Sequence, residues 1–396
     1  MNIQRSPDVN RKLEIEAGLA SFIDEFIALR RDIHTHPELA FKETRTSALV
    51  ADYLKQWGYD VTTGVGGSGV VGTLKRGNSN KTIGIRADMD ALPITEATGL
   101  DYASSNSGVM HACGHDGHTT VLLAAARYLA QSGRFSGTVH LIFQPAEEIG
   151  AGARRMIEDG LFERFPCDAV YGLHNWPGVP AGKFGFVTGP AMASVDRARI
   201  RVNGRGGHGA EPHKSIDPVV VASSIVLALQ TVVARNLDPL DMGVVTVASI
   251  HGGDALNVIP AHVDLGITIR SFSQAVREEL RRRIEAVARS QAESFGAVAD
   301  VNYQWGFPAL INAKAETEFA RQVALSTFPT GTVIEDFRPR TASEDFAFML
   351  EQKPGTYFFV GNGDSAGLHN PNYNFNDEIL LPAALFWVRL TEASLI

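Results

Sequence analysis

The spacing of apolar residues predicts alternating helices and strands in the first half of the chain. Apolar positions three and four residues apart predict helices over residues 19–33, 46–57 and 117–130. Short apolar runs between turn residues predict strands at residues 59–63, 70–74, 82–86, 138–143 and 169–173. Strands that alternate with helices indicate an α/β domain with a mostly parallel sheet and helices on both faces.

A different order of elements begins near residue 189. The pattern predicts a strand at 199–202, a helix at 218–234, strands at 244–250 and 263–269, a helix at 273–292 and a strand at 297–303. This order, βαββαβ, is typical of a smaller α+β ferredoxin-like domain. Beyond it, helices are predicted at residues 315–325 and 344–350 and a strand at 356–360. We therefore expect a catalytic domain formed by residues 1–188 and 308–396, interrupted by a ferredoxin-like domain at 189–307.

Composition and charge limit the kinds of molecule that the chain is expected to bind. A chain of 396 residues is long enough for two or three domains. Its net charge of −8 and the lack of a Lys/Arg stripe argue against nucleic acid as a partner. Its apolar runs are broken by Ser, and it begins without a secretion signal, so we expect no membrane span and a cytoplasmic protein. In a reducing compartment, Cys113 is favoured as a thiolate ligand over a disulfide with Cys167, which stays an alternative.

The segment at residues 110–118, with the sequence MHACGHDGH, holds one thiol, one carboxylate and three imidazoles. If buried, each of these side chains would need its own polar partner, so their density favours a metal site. The alternative is a cysteine nucleophile at Cys113 paired with a histidine. That alternative gives no reason for the carboxylates and histidines found elsewhere in the chain.

Four further polar clusters follow predicted strands, where α/β sheets place their sites: RADMD (86–90), QPAEE (144–148), GLHNWP (172–177) and GLHNP (367–371). Within them, the neighbours Glu147 and Glu148 would repel one another at a strand end unless a cation neutralised them. One can bind metal while the other takes a proton from water. The alternative is a solvated pair of surface charges.

The motifs HACGHDGH, QPAEE, GLHNWPG, GGHGAEPH and LHNPNYNFND occur in one order along nearly the whole chain, which resembles the two-metal amidohydrolases of the aminoacylase and carboxypeptidase G superfamily. The most similar branch contains hippurate hydrolase and the plant auxin-conjugate amidohydrolases. The resemblance implies five metal ligands, Cys113, His115, Glu148, His174 and His369. It also implies that Glu147 is the general base and acid. Distant members carry a His-x-Asp motif where this chain has Asp88-Met89-Asp90, so Asp90 is expected to orient a ligand from behind. Asp116 and His118 are expected behind the ligands or at the start of a helix.

The resemblance also assigns residues of the inserted domain. It implies that this domain pairs two subunits, as a homodimer or alternatively a tetramer, and that His208 of the partner subunit stabilises the oxyanion. Asn257 and Arg270 match positions that bind the substrate and its carboxylate, for which the fork of an arginine is well suited. The alternative for Arg270 is an ordinary surface charge.

The expected function is hydrolysis of N-acyl amino acids, hippurate-like or N-acetylated, with two divalent ions roughly 3.5–4 Å apart sharing a water. The mixed ligands suit Zn²⁺ or Mn²⁺, with Co²⁺ or Ni²⁺ as alternatives. Two other functions stay open: a dipeptidase or aminopeptidase with the same site, and a non-catalytic metal-binding relative. Glu147 argues against the second, because a binding protein needs no base beside its metal ligand.

His34 and His36 are expected to be structural, and the role of Ser343-Glu344-Asp345 is open.

Overall fold

The computed structural model describes residues 7–396, which form two compact units. The α-helices are α1 (Pro7–Ala20), α2 (Ile23–Thr35), α3 (Thr44–Gln56), α4 (His115–Ser132), α5 (Gly152–Glu158), α6 (Leu161–Arg164), α7 (Pro218–Asn236), α8 (Gln274–Ser294), α9 (Lys314–Thr327), α10 (Ala347–Gln352) and α11 (Leu380–Ser394). The strands are β1 (Asp60–Val65), β2 (Gly69–Arg76), β3 (Thr82–Asp88), β4 (Gly137–Gln144), β5 (Ala169–Pro177), β6 (Phe184–Gly185), β7 (Gly189–Met192), β8 (Asp196–Asn203), β9 (Gly207–His208), β10 (Gly243–His251), β11 (Val258–Ile259), β12 (His262–Ser271), β13 (Val298–Trp305), β14 (Leu310–Asn312), β15 (Val333–Ile334) and β16 (Gly355–Gly363).

The first unit comprises the chain up to Gly189, Ile311–Arg338 and Asp345–Ile396. Its sheet has eight strands in the order β1-β2-β4-β3-β5-β16-β6-β15. The four central strands β4, β3, β5 and β16 are parallel, whereas β2 and β6 pair antiparallel with them at the two sides. The expected α/β class with a mostly parallel sheet is therefore confirmed, with antiparallel strands added toward its edges.

Burial explains why the central strands and the helices that cover them form. Strand β4 is buried over nearly its whole length, as parallel strands between two helical layers must be. Helix α11, which the pattern did not predict, is apolar almost all round and lies in the core of this unit. A helix without a polar face lacks the periodicity by which helices are recognised in a sequence.

Two predicted helices have different bounds in the structure. The helix predicted at residues 19–33 is the end of α1 and most of α2, because the chain turns at Ser21 and Phe22 between them. The helix predicted at 344–350 begins at Ala347. Asp345 lies before it, where its carboxylate accepts hydrogen bonds from other segments.

The second unit comprises Pro190–Leu310 and Pro339–Glu344. Its sheet has the order β10-β12-β8-β13 and is antiparallel throughout. Buried and exposed residues alternate along β8, so one face packs on α7 and α8 and the other does not. The element order is the predicted βαββαβ, which confirms a ferredoxin-like domain.

Helix α7 is long and apolar enough to cross a membrane, which the broken apolar runs did not predict. Its buried residues, among them Val221, Ile225 and Leu229, form part of the core of the second unit. Packing against the sheet therefore accounts for the buried face of the helix, whereas Val219, Val220 and Leu227 on its other side are exposed.

Replacing Phe358 with Ala should destabilise the first unit. This residue of β16 is fully buried and its ring contacts those of Phe184, Phe186, Phe386 and Trp387. Losing a buried Phe side chain and leaving a cavity should lower the free energy of unfolding by about 3–5 kcal/mol, measured by denaturant titration. Leu325→Ala, at a half-exposed position of α9, is the control and should change stability little. An equal, small effect of both changes would contradict this account of the core.

Candidate metal centre

The residues expected to bind metal follow four neighbouring strands of the first unit. His115 is the first residue of α4, which follows β3 in the chain, and Cys113 lies two residues before it. Glu148 follows β4, His174 lies near the end of β5, and His369 follows β16. Because β4, β3, β5 and β16 are parallel neighbours, their carboxyl ends form one edge of the sheet. Residues from distant parts of the sequence therefore meet there.

Distances between ligand atoms confirm that these side chains converge. Cys113 Sγ lies 3.3 Å from His174 Nε2, and Glu148 Oε2 lies 3.3 Å from His369 Nε2. His115 Nε2 is 3.9 Å from Glu148 Oε1. Ligand atoms lie within 4.8 Å of one another in three overlapping groups: Cys113, His115 and His174; Cys113, Glu148 and His369; and His115, Glu147 and Glu148. All six residues thus belong to one continuous cluster.

Two buried atoms of this cluster show that its donors fit a cation. His115 Nε2 and Glu148 Oε1 are shielded from solvent and have no hydrogen-bond partner among the described residues. A buried polar atom left without a partner is costly, and these two face the same neighbours. Thiol, imidazole and carboxylate donors together are the set that divalent transition metals bind. The residues present therefore fit a divalent metal ion.

The protonation of the cluster reflects its negative charge. Burial lowers the pKa of His115, but the carboxylate of Asp88 and the hydrogen bond to Asp90 outweigh burial and raise it to about 10. Burial raises the pKa of Glu148, yet the hydrogen bond from His369 and the charge of His115 bring it below its ordinary value. For His174, burial and the neighbouring His118 hold the pKa well below the ordinary range. The buried carboxylates therefore stabilise a positively charged group beside them, such as protonated His115.

Asp90 connects the two segments that carry the cluster. Its carboxylate accepts the backbone N–H groups of Glu147 and Glu148 at 3.1 and 3.0 Å. Its own carbonyl oxygen lies 3.0 Å from His115 Nδ1. A ring whose Nδ1–H is held in this way directs Nε2 toward the cluster.

His118 and Asp88 form a separate pair behind the cluster. His118 Nε2 accepts the backbone N–H of Asn175 at 3.0 Å, so its proton is on Nδ1, which donates to Asp88 Oδ1 at 2.6 Å. Asp88, His115 and His118 also lie close enough to hold an ion. Both nitrogens of His118 are already engaged, so we do not assign a metal there.

Sequence reasoning missed the role of Asn175, which joins three motifs. Its side-chain N–H donates to the carbonyl of Cys113 at 2.7 Å, and its side-chain oxygen accepts the hydroxyl of Tyr373 at 2.7 Å. The backbone N–H of His369 donates to the carbonyl of Ala112 at 2.8 Å. Asn175 and Tyr373 both lie inside motifs recognised in the sequence, GLHNWPG and LHNPNYNFND, which was the available signal.

Two further buried carboxylates hold the loop of Glu147 and Glu148 at its ends. Glu43 accepts the backbone N–H of Ala146 at 2.9 Å. Asp345 accepts the side chain of Gln144 at 2.7 Å and the backbone N–H of Ala153 at 2.9 Å. Asp345 thus holds this loop, and one of its carboxylate oxygens also lies within 4.8 Å of one from Glu147.

The other predicted site residues belong to the second unit. His208 lies on β9, is exposed and pairs with Val258 of β11. The carbonyl of Asn257 accepts the backbone N–H of Gly209 at 2.8 Å, so His208 and Asn257 are neighbours. Arg270 lies on β12 and donates to the hydroxyl of Ser343 at 2.5 Å. Burial, and to a lesser degree Arg197, lower the pKa of Arg270.

A buried ionic network supports the first turn of α4. His34, expected to be structural, places Nδ1 2.8 Å from Asp116 and Nε2 3.3 Å from Glu96. Because both partners are carboxylates, both ring nitrogens donate and the ring is positively charged. Burial lowers the pKa of His34, but these two hydrogen bonds outweigh it and raise the pKa to about 9. Arg30 also contacts Asp116, the residue after His115.

Comparison with known proteins shows that the chain is similar to several hydrolases. The pattern of Peptidase family M20/M25/M40 matches residues 84–393. The chain is 44% identical over 366 residues to the hippurate hydrolase of Campylobacter jejuni, covering 92% of this chain and 95% of that protein. It is 40% identical over 370 residues to N-acetyl-L-cysteine deacetylase of Bacillus subtilis, covering 93% and 88%. The solved structure of the Bacillus subtilis YXEP protein, described as a dinuclear metal binding peptidase, is similar with a TM-score of 0.83 and 32% identity, covering 95% of this chain and 99% of that one.

Replacing His34 with Gln should lower stability in a pH-dependent way. The folded pKa of about 9 exceeds the ordinary 6.5, so the stabilisation is fully present below about pH 6.5 and is lost as pH rises through 9. His34→Gln should therefore lower the free energy of unfolding by roughly 3 kcal/mol at pH 6 and by much less at pH 10. Denaturant titrations of both proteins at several pH values would measure this, with His262→Gln at an exposed position as control. A difference that does not shrink as pH rises would contradict a charged His34.

Proposed function

Because the chain belongs to Peptidase family M20/M25/M40, we propose that it hydrolyses the amide bond of N-acyl amino acids to a carboxylic acid and a free amino acid. This membership confirms the resemblance inferred from the motifs. Two of the relatives, named as a hippurate hydrolase and an N-acetyl-L-cysteine deacetylase, support this substrate class. Both names refer to an amide between an acyl group and an amino acid.

The observation that carries the proposal is the position of Glu147 within the cluster. A protein that only binds metal needs ligands, and Cys113, His115, Glu148, His174 and His369 can supply them. Glu147 adds a second carboxylate beside Glu148 and His115, and its backbone is fixed by Asp90. A buried carboxylate held next to the metal ligands is what general-base catalysis requires.

The five ligands would hold two divalent ions, as the dinuclear description of the similar YXEP structure supports. We propose Zn²⁺ or Mn²⁺ as the ions, with Co²⁺ or Ni²⁺ as alternatives, because thiolate, imidazole and carboxylate are all present. When bound, such ions lower the pKa of water and polarise the carbonyl of the substrate. Asp90 would keep His115 Nε2 and the loop of Glu148 in position for binding.

Residues of the chain would transfer the proton, stabilise the oxyanion and bind the carboxylate of the substrate. Glu147 would take a proton from the attacking water and deliver it to the nitrogen of the leaving amine, so one carboxylate acts as base and then as acid. The partner subunit's His208 would donate a hydrogen bond to the oxygen that becomes negatively charged. Asn257 and Arg270 would hold the α-carboxylate of the amino acid.

The surroundings of Arg270 support its part in this scheme. Its guanidinium is half-buried and donates a hydrogen bond to a neutral hydroxyl, that of Ser343. Within the described part of the chain, this guanidinium forms no ion pair with a carboxylate. A partly buried cation of this kind gains most from an anionic ligand.

We further propose a cytoplasmic homodimer formed through the second unit, with a tetramer as the alternative.

Replacing Glu147 with Gln should abolish turnover while metal binding is kept. Gln has nearly the same shape but accepts no proton, so kcat should fall about 10²–10⁴-fold. The measurement is hydrolysis of N-benzoyl- and N-acetyl-amino acids, and of a dipeptide panel, by protein reconstituted with each metal. Elemental analysis should give the same metal content as the wild type. Glu163→Gln on α6 is the control. Normal turnover by Glu147→Gln would remove this residue from its role, and preferred cleavage of dipeptides would overturn the substrate class.

Mixing two inactive variants should restore activity if the partner's His208 completes the site. A hybrid dimer of His208→Ala and Glu147→Gln subunits has one site in which both residues are intact. After subunit exchange, about one quarter of the wild-type activity should return, since half of the dimers are hybrids with one complete site each. No recovery, with exchange verified by labelled subunits, would show that His208 does not act across the dimer.

A further inference from the structure

Arg86 is a fully buried arginine near the carboxyl end of β3, outside the metal cluster. Side chains two residues apart on a strand point to the same face of the sheet, so Arg86 lies beside Asp88. Its Nη1 donates a hydrogen bond to Asp88 Oδ2 at 2.6 Å. Arginine stays charged inside proteins, so a buried guanidinium needs acceptors all around it. The positions of the other acceptors show which parts of the chain it connects.

The remaining donors of this guanidinium reach both ends of the loop between β4 and α5, which carries the two glutamates of the cluster. Nε of Arg86 donates to Gln144 Oε1 at 2.9 Å, and Gln144 is the last residue of β4. Nη2 donates to Asp345 Oδ1 at 3.2 Å. Asp345 in turn accepts the backbone N–H of Ala153, in the first turn of α5, at 2.9 Å. One buried cation therefore supports the start and the end of this loop.

Asp88 connects the same cation to α4. Its Oδ1 accepts the Nδ1–H of His118 at 2.6 Å, and its backbone carbonyl accepts the hydroxyl of Thr119 at 2.9 Å. Both partners lie near the start of α4, whose first residue is the expected ligand His115. The carboxylate and the backbone of Asp88 thus hold the helix start that carries this ligand.

His118 extends the connection to β5. Its Nε2 accepts the backbone N–H of Asn175 at 3.0 Å, and Asn175 directly follows His174 in this strand. The side-chain N–H of Asn175 donates to the carbonyl of Cys113 at 2.7 Å. All of the expected metal ligands except His369 therefore lie on segments that this network joins to one guanidinium.

The shape of the guanidinium is essential to this arrangement. The Nε, Nη1 and Nη2 atoms of Arg86 bind three different acceptors, which lie on β4, on β3 and before α10. A lysine ammonium has the same charge, but it is a single point on a flexible stem and lacks the rigid fork of an arginine. Replacement by lysine therefore keeps a cation beside the buried carboxylates and removes the geometry.

We propose that Arg86 is a positioning residue that sets the affinity and the coordination geometry of the metal centre. It binds no metal itself, because a guanidinium offers no acceptor atom. It acts on one side through Asp88 and His118 and on the other side through Gln144. The proposal rests on the metal centre of the proposed function and adds to it a residue outside the cluster. Groups that orient metal ligands from behind change metal affinity or activity about 10–100-fold when they are replaced.

The test compares Arg86→Lys with Arg277→Lys, a matched change at a buried arginine of the second unit. Arg277 binds Asp196 through Nε and Nη2, at 2.8 and 2.6 Å. Each protein is freed of metal and titrated with Zn²⁺ in competition with a chromogenic chelator. Arg86→Lys should raise the Kd for Zn²⁺ about 10–100-fold. Arg277→Lys should leave this Kd unchanged, although both changes should lower the Tm of the metal-free protein.

Bound Co²⁺ gives a second measurement, because its visible absorption depends on the number and arrangement of its ligands. At saturating Co²⁺, Arg86→Lys should shift or weaken these bands, whereas Arg277→Lys should give the spectrum of the wild type. With metal saturating, kcat for an N-acyl amino acid should fall in Arg86→Lys. KM should stay close to that of the wild type, since a fully buried side chain does not contact the substrate.

An unchanged Zn²⁺ affinity and Co²⁺ spectrum in Arg86→Lys would overturn the proposal, whatever the change in Tm. Equal losses of metal affinity in both lysine variants would also overturn it, because they would reflect stability alone. If Arg86→Lys does not fold, Gln144→Met removes only the bonds that hold the end of β4, and an unchanged Kd for Zn²⁺ would then refute the network. A wild type that binds neither metal would instead overturn the metal centre of the proposed function. A wild type that binds metal and hydrolyses no amide would overturn that function alone.

Discussion

The arrangement of the site in the first unit depends on several carboxylates that lie close together at one edge of a buried sheet. Asp88, Glu147 and Glu148 lie there with little contact to solvent, and like charges at close range in a poorly polarisable interior repel strongly. Hydrogen bonds and nearby cations offset part of this cost, as the raised pKa of His115 shows. A cation bound in the cluster would offset more of this cost.

Carboxylates further from the cluster hold the metal-binding segments by their backbones. Asp90 fixes the loop of Glu147 and Glu148, and Glu43 and Asp345 hold its two ends. These carboxylates accept N–H groups, so their charge is partly satisfied without a proton. Each metal-binding loop is thereby positioned before any ligand binds. Preorganised positions reduce the reorganisation that binding and catalysis would otherwise require.

Two of the three non-glycine residues with positive φ angles in the described part of the chain lie in the metal cluster or directly before it. Ala146 precedes the loop of Glu147 and Glu148, His369 is itself in the cluster, and both have left-handed backbone conformations that glycine would adopt more easily. Such positions persist where surrounding hydrogen bonds over-determine them, as the bond from His369 N–H to Ala112 does. The third position, Phe41, lies outside the cluster and has a partly exposed ring.

The sequence alone determined the fold class, most elements, the family and the six residues of the cluster, because motifs and apolar periodicity are local properties. It did not predict α11, whose apolar surface has no period, or the start of α10, where Asp345 is used outside the helix. The proton position on His118 and the linking role of Asn175 depend on partners about 60 residues away in the chain. Such contacts exist only once parallel strands bring their ends together. Tertiary structure therefore decided how the site is held, and the sequence decided which chemistry it contains.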